Sequence, residues 1–126
     1  MPRPAHFEIH ASDPESLAAF YKKVFDWKFQ HMPQIDYWLI DTGPGEGING
    51  GMIKRRGAMA PEGAPVNAFV VTVDVTAIDT YLKRALDAGA TLAQPKFAIP
   101  HVGWQVYVKD PDGNILGIHQ MDANAE

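Results

Sequence analysis

The chain repeats itself. Trp38 and Trp104 stand 66 residues apart (104 − 38), and Gly51 and Gly117 keep the same spacing (117 − 51). A supersecondary unit used twice must bury its apolar face in the same way twice, so a repeat limits the fold more than any single motif. Around each pair the pattern runs strand, helix, strand, strand, strand. The expected fold is therefore α+β: two tandem βαβββ modules, module one over about 5–55, a linker over about 56–66 and module two over about 67–121.

The first module opens with Phe7-Glu8-Ile9-His10, which alternates apolar and polar residues as a half-buried strand does. Ser12-Asp13-Pro14-Glu15 starts a helix: Ser12 or Asp13 can cap it, Pro14 suits the first turn, and Glu15 completes a capping box from Ser12. Leu17, Phe20, Tyr21, Val24 and Phe25 make one apolar helix face. The helix should stop near Asp26, which tolerates a left-handed backbone. Strands follow at 28–30, 37–41 and 50–54. Residues 55–66 are rich in Gly, Pro and Ala and read as a linker. The second module has a strand at 68–73, a helix whose Thr76 and Asp79 resemble a capping box, Gly89 past its end, a short strand at 91–93, and strands at 104–108 and 115–120 around the turn Asp110-Pro111-Asp112-Gly113.

Composition removes several function classes. A formal net charge of −4 with no long basic run argues against phosphate-backbone binding. No run of about eighteen apolar residues suggests a membrane span, and the N-terminus lacks the apolar core of a secretory signal. There are no cysteines, which excludes disulfides and thiolate chemistry. A cytoplasmic location is expected.

Period-two alternation sorts each strand into two faces. Phe7, Ile9, Trp38, Ile40, Phe69, Val71, Val73, Trp104, Val106, Val108, Leu116 and Ile118 should pack on helices. The other face carries His6, Glu8 and His10, then Leu39 and Asp41, then Gly51 and Ile53. In the second module it carries Ala68, Val70, Thr72, Gln105, Tyr107, Ile115, Gly117 and His119. Apolar walls with a few polar groups are what small-molecule pockets use. The small residues Gly51, Ala68 and Gly117 read as room made in such a wall.

The chain resembles the vicinal oxygen chelate superfamily, which includes glyoxalase I, bleomycin-resistance proteins and extradiol dioxygenases. The likeness spans nearly the whole chain. It rests on HFEIHASDPESLAAFYKKVFDWKF, on YWLIDTGPGEGINGGM and on VYVKDPDGNILGIHQ, and it is strongest to a glyoxalase-related branch. The resemblance implies paired modules whose sheets form a cupped, partly open barrel, a homodimer, and a small-molecule ligand between the modules.

Metal-using relatives place one ligand on each of four strands. His6, seven residues before Asp13, matches the first position. The others fall on Gly51, on Ala68 with Asn67 beside it, and on Gly117, four residues after Gly113. Three of these four cannot ligate, so no metal or other cofactor is expected. A relocated site would have to draw on His6, Glu8, His10 and His119.

The functional expectation is a metal-independent binder, with ligand-contacting residues His6, Glu8, His10, Trp38, Leu39, Asp41, Ile53, Gln105, Tyr107 and His119. The alternative is a lyase, isomerase or dioxygenase that uses a metal or a Glu8/His6 pair for proton abstraction. Burial would raise the pKa of Glu8 and suit it to that task. Lys54-Arg55-Arg56, at the end of a strand, could attract an anionic ligand.

Overall fold

The structure is a computed structural model, and it describes residues 2–126. It divides into two compact units, one reaching Ala60 and the other running from Pro61 to Glu126.

The first unit contains β1 (His6–Ala11), α1 (Pro14–Phe25), β2 (Lys28–Met32), β3 (Tyr37–Asp41) and β4 (Asn49–Lys54). Its sheet has the order β1-β4-β3-β2, with β1 parallel to β4 and the other pairs antiparallel. The second unit contains β5 (Val71–Asp74), α2 (Ile78–Asp87), β6 (Thr91–Ile99), β7 (Gly103–Lys109) and β8 (Ile115–Met121). Its order, β5-β8-β7-β6, repeats the same topology. The fold is α+β, with two βαβββ modules. Each module carries its own four-stranded mixed sheet.

Local chemistry accounts for the helices. Asp13 caps α1: its carboxylate accepts from the Ser16 N–H at 3.3 Å and from the Ser16 hydroxyl at 2.8 Å. The partner of the cap is thus Ser16, and the Ser12–Glu15 box expected above does not form. Asp26 closes the helix in the left-handed region at φ 63°, and its N–H donates to the Lys22 carbonyl. The α2 N-cap is Ala77, which offers no side-chain hydrogen bond. Instead the Gln120 side chain on β8 accepts from the Ile78 N–H at 2.9 Å, so Thr76 and Asp79 do not make the expected box. At the other end Gly89 has φ 112°, while the Ala90 and Gly89 N–H groups donate to the Ala85 and Leu86 carbonyls. That is a Schellman closure, and the positive φ favours glycine.

Each module buries its own core. Leu17, Phe20, Tyr21 and Val24 of α1 are buried, as are Ile40 and Met52 of its sheet, and Trp27 stacks on Tyr21 at 5.1 Å between centroids. In the second unit Ile78 and Ala85 of α2 are buried, with Val106, Val108, Leu116 and Ile118 of the sheet. Each fully buried aliphatic side chain contributes roughly 1.5–3 kcal/mol.

Three expectations are corrected. Strand β5 begins at Val71, so Ala68, Phe69 and Val70 precede the sheet, and Phe69 is fully exposed rather than packed on a helix. Alternation continues through 68–70, but those residues have no ladder partner. Strand β6 is nine residues long, not three, and shifts register twice between Leu92 and Phe97.

The tryptophans are not equivalent either. Gly51 is flanked by Glu8 and Leu39, and Gly117 by Thr72 and Tyr107. The position two residues before Leu39 is Tyr37, and two before Tyr107 is Gln105. Register therefore matches Tyr37 with Gln105 and Trp38 with Val106.

Candidate functional site

The sheet face of module one opposite α1 carries the candidate site. β1 projects His6, Glu8 and His10 to this face, all exposed, while Phe7 and Ile9 on the same strand are less exposed. β3 adds Tyr37, Leu39 and Asp41.

Four of these side chains form a line. His6 Nε2 lies 2.8 Å from the Tyr37 hydroxyl, which donates to Glu8 Oε2 at 3.3 Å. Glu8 Oε1 in turn accepts from His10 Nε2 at 3.1 Å. Hydrogen-bond accounting fixes the direction: the one phenolic proton goes to Glu8, so His6 Nε2 must donate to the phenol oxygen. Burial raises the Tyr37 pKa above the ordinary 10.0, and the neighbouring Glu8 charge and the hydrogen bond to it push it further the same way. The phenol thus stays protonated at neutral pH.

The expected burial of Glu8 does not occur: its side chain is 42 % exposed and that of His10 48 %. Leu39 is exposed beside this line, and Ile53 is half-buried. Asp41 accepts from the Gly43 N–H at 2.9 Å and so shapes the turn that follows it. Trp38 points to the opposite face: it is buried and stacks on His31 at 4.2 Å. It therefore does not share the face of Leu39, in keeping with its position in the alternation. Arg55 is drawn back to the strand, donating to the Ser12 hydroxyl and the His10 carbonyl.

The centre of the matching face in module two is neutral and more enclosed. Gln105 is 4 % exposed and donates to the Thr72 hydroxyl at 3.2 Å. At its end, His119 Nδ1 donates to Asp74 Oδ1 at 2.9 Å, and the imidazole is 15 % exposed. Tyr107 is half-buried and stacks on Phe97. Ala68 lies outside any strand and is exposed.

The two strand glycines do not mark empty space. A Cβ on Gly51 would collide with the Tyr37 hydroxyl, and one on Gly117 would collide with Thr72 Oγ1 and come within 2.7 Å of Gln105 Nε2. The expected room in the wall is filled by side chains from neighbouring strands. Sequence reasoning missed Tyr37 and Asp74 as participants, and placed Thr72 on this face without its bond to Gln105. The signal for Tyr37 is present, since it lies two residues before Leu39 and shares its face.

These residues do not fit the metal of the superfamily. His6 is the one donor at the four ligand positions, and its Nε2 is engaged by Tyr37. Among the described residues no three His, Asp or Glu side chains group so as to hold an ion.

Comparison with known proteins agrees with this architecture. Residues 6–118 match the glyoxalase-like domain family. A protein of Mycobacterium bovis with a provisional glyoxylase name, CFP32, is 25 % identical over 131 aligned positions, covering 94 % of this chain and 46 % of its own length. The chain thus spans about half the length of that curated relative and of its Mycobacterium tuberculosis counterpart. Among solved structures, a glyoxalase-related enzyme from Fulvimarina pelagi superposes with a TM-score of 0.72 at 23 % identity, covering 100 % of this chain and 98 % of the other. A glyoxalase/bleomycin resistance protein/dioxygenase family enzyme from Burkholderia phytofirmans gives 0.71 at 20 % identity, covering 94 % and 98 %. With both βαβββ modules in place and the match running from His6 in β1 to Ile118 in β8, this chain belongs to the glyoxalase-like domain family, within the vicinal oxygen chelate superfamily.

Proposed function

We propose that this chain binds a small molecule on the module-one face that carries His6, Tyr37, Glu8 and His10, and holds it without a metal ion. The carrying observation is a hydrogen-bonded line of polar groups beside the exposed side chain of Leu39. Binding sites combine apolar area with a few oriented polar groups in this way. The polar atoms left over are acceptors: the Glu8 carboxylate has lone pairs beyond the two bonds described, and the phenol oxygen has one. The face therefore suits a ligand with an apolar body and N–H or O–H donors.

A thermal-shift screen tests this. Apolar compounds that carry donors should raise the melting temperature, and matched compounds without donors should not. A ligand at about 100 times its Kd stabilises by about 2.7 kcal/mol. The shift should vanish in Glu8→Ala and Leu39→Asp variants. A shift indifferent to both, or none across the library, overturns the reading. So does a metal that copurifies with the protein, detected by elemental analysis, and is lost in His6→Ala.

One observation favours a catalytic second reading. The path from His6 through Tyr37 to Glu8 is directional and could relay a proton, work that contributes roughly 10²–10⁴-fold in general acid–base catalysis. A lyase, isomerase or dioxygenase activity that survives His6→Ala, Glu8→Ala and His119→Ala would exclude these residues as its catalysts.

A further inference from the structure

We infer that Gly51 decides the chemistry of this face: by lacking a Cβ it admits the Tyr37 hydroxyl between His6 and Glu8, and the phenol keeps those two side chains from converging on a divalent cation. This property belongs to the side chains of the chain itself and holds whatever ligand the face takes up.

Tyr37 lies on β3, and β4, which carries Gly51, separates that strand from β1. To reach His6 and Glu8 on β1, the tyrosine ring must cross directly over β4. It crosses at residue 51, where an added Cβ would overlap the hydroxyl oxygen, Cζ and Cε2 of the ring. No side chain at 51 coexists with that crossing. The second module builds the same device independently. There Gln105 of β7 crosses Gly117 of β8 to reach Thr72 of β5, and an added Cβ would again overlap the bridging atoms. Two glycines, each beneath a polar side chain that bridges its two neighbouring strands, make the arrangement a property of the module.

The consequence follows from strand geometry. Glu8 is the ladder partner of Gly51, and His6 is two residues away on the same face. Adjacent strands lie about 4.8 Å apart, and i,i+2 neighbours about 6.6 Å. With the phenol removed and a carboxylate introduced by Gly51→Glu, three donors would share one patch: His6, Glu8 and the new carboxylate. Three is the number a catalytic zinc site takes from its protein. Tyr37 and Gly51 together exclude that outcome.

The test titrates Zn²⁺ and Mn²⁺ separately into the full chain by calorimetry, with circular dichroism recording the fold. The Y37A/G51E variant should bind one ion per chain at concentrations where the wild type takes none on this face, and adding H6A should abolish that binding. An ion bound by wild type and lost in H6A overturns the inference. So does a Y37A/G51E variant that folds but binds no better than wild type. If that variant does not fold, a double-mutant cycle decides. Gly51→Ala should lower the melting temperature clearly when Tyr37 is present and much less in a Tyr37→Ala background; equal losses in both backgrounds refute the coupling.

Discussion

The two modules share a topology and a glycine-centred bridge, yet they finish their open faces differently. Module one bridges with a phenol between a histidine and a carboxylate, and Glu8 and His10 stay well exposed. Module two bridges with an amide to a hydroxyl, and Gln105 is almost wholly buried. One frame thus supports an ionisable, solvated centre in one copy and a neutral, enclosed centre in the other. The frame supplies the crossing; the residue that crosses sets the chemistry. The first copy therefore leaves its carboxylate open to solvent, while the second engages its bridging amide internally.

Substitutions and pH test this contrast, and the largest effect is expected at the Gln105–Thr72 bridge. Gly117→Ala forces a methyl against Thr72 and the buried Gln105 amide, and overpacking of this kind costs about 1–3 kcal/mol. Urea denaturation should show a smaller loss for Gly51→Ala, because Tyr37 can swing toward solvent. Equal losses would erase the distinction between the two faces.

The helix starts differ as well. Asp13→Ala removes the side-chain cap of α1 and should cost about 0.5–2 kcal/mol, read from the shift in denaturation midpoint.

Next comes pH. The Tyr37 pKa is raised on folding, so the folded chain holds its phenolic proton more tightly than the unfolded chain does. That stability is fully present below the ordinary phenol value of 10.0 and is lost as pH rises through the higher folded value. Denaturation midpoints measured from neutral to strongly alkaline pH should fall more steeply for wild type than for Tyr37→Phe. Parallel profiles would show that the Tyr37 phenol is not the group responsible.

The smallest effect is a gain. Ala77→Ser gives α2 the side-chain cap it lacks and should add about 0.5 kcal/mol.

Much of this fold is legible in the sequence because short-range chemistry dictates it. The apolar spacing from Leu17 to Val24 and the left-handed stop at Asp26 depend on a few neighbouring residues. The repeat shows that two similar modules follow one another. What escapes is set by partners distant in sequence. Gln120 caps α2 from 42 residues away. Phe69 fits the alternation of β5 but lies beyond the ladder.

The site is half legible for the same reason. Alternation puts His6, Glu8, His10 and Leu39 on one face correctly. It also puts Trp38 with the core, where that side chain lies stacked on His31. Gly51 and Gly117 read as space because a sequence shows a missing side chain but not the neighbour leaning into the gap.

Strand β6 is an edge of its sheet, nine residues long and exposed along its first six. An unpaired edge of that length invites a strand from another molecule. Here Pro95 interrupts the row of donors, and the two register shifts between Leu92 and Phe97 bend the ladder beside it. Lys96 adds a charge in the same stretch, paired with Asp79 at 2.9 Å. The irregularity that hides most of this strand from a reading of the sequence also guards it against accretion. A straight, evenly paired edge of that length would instead present a template for strand addition.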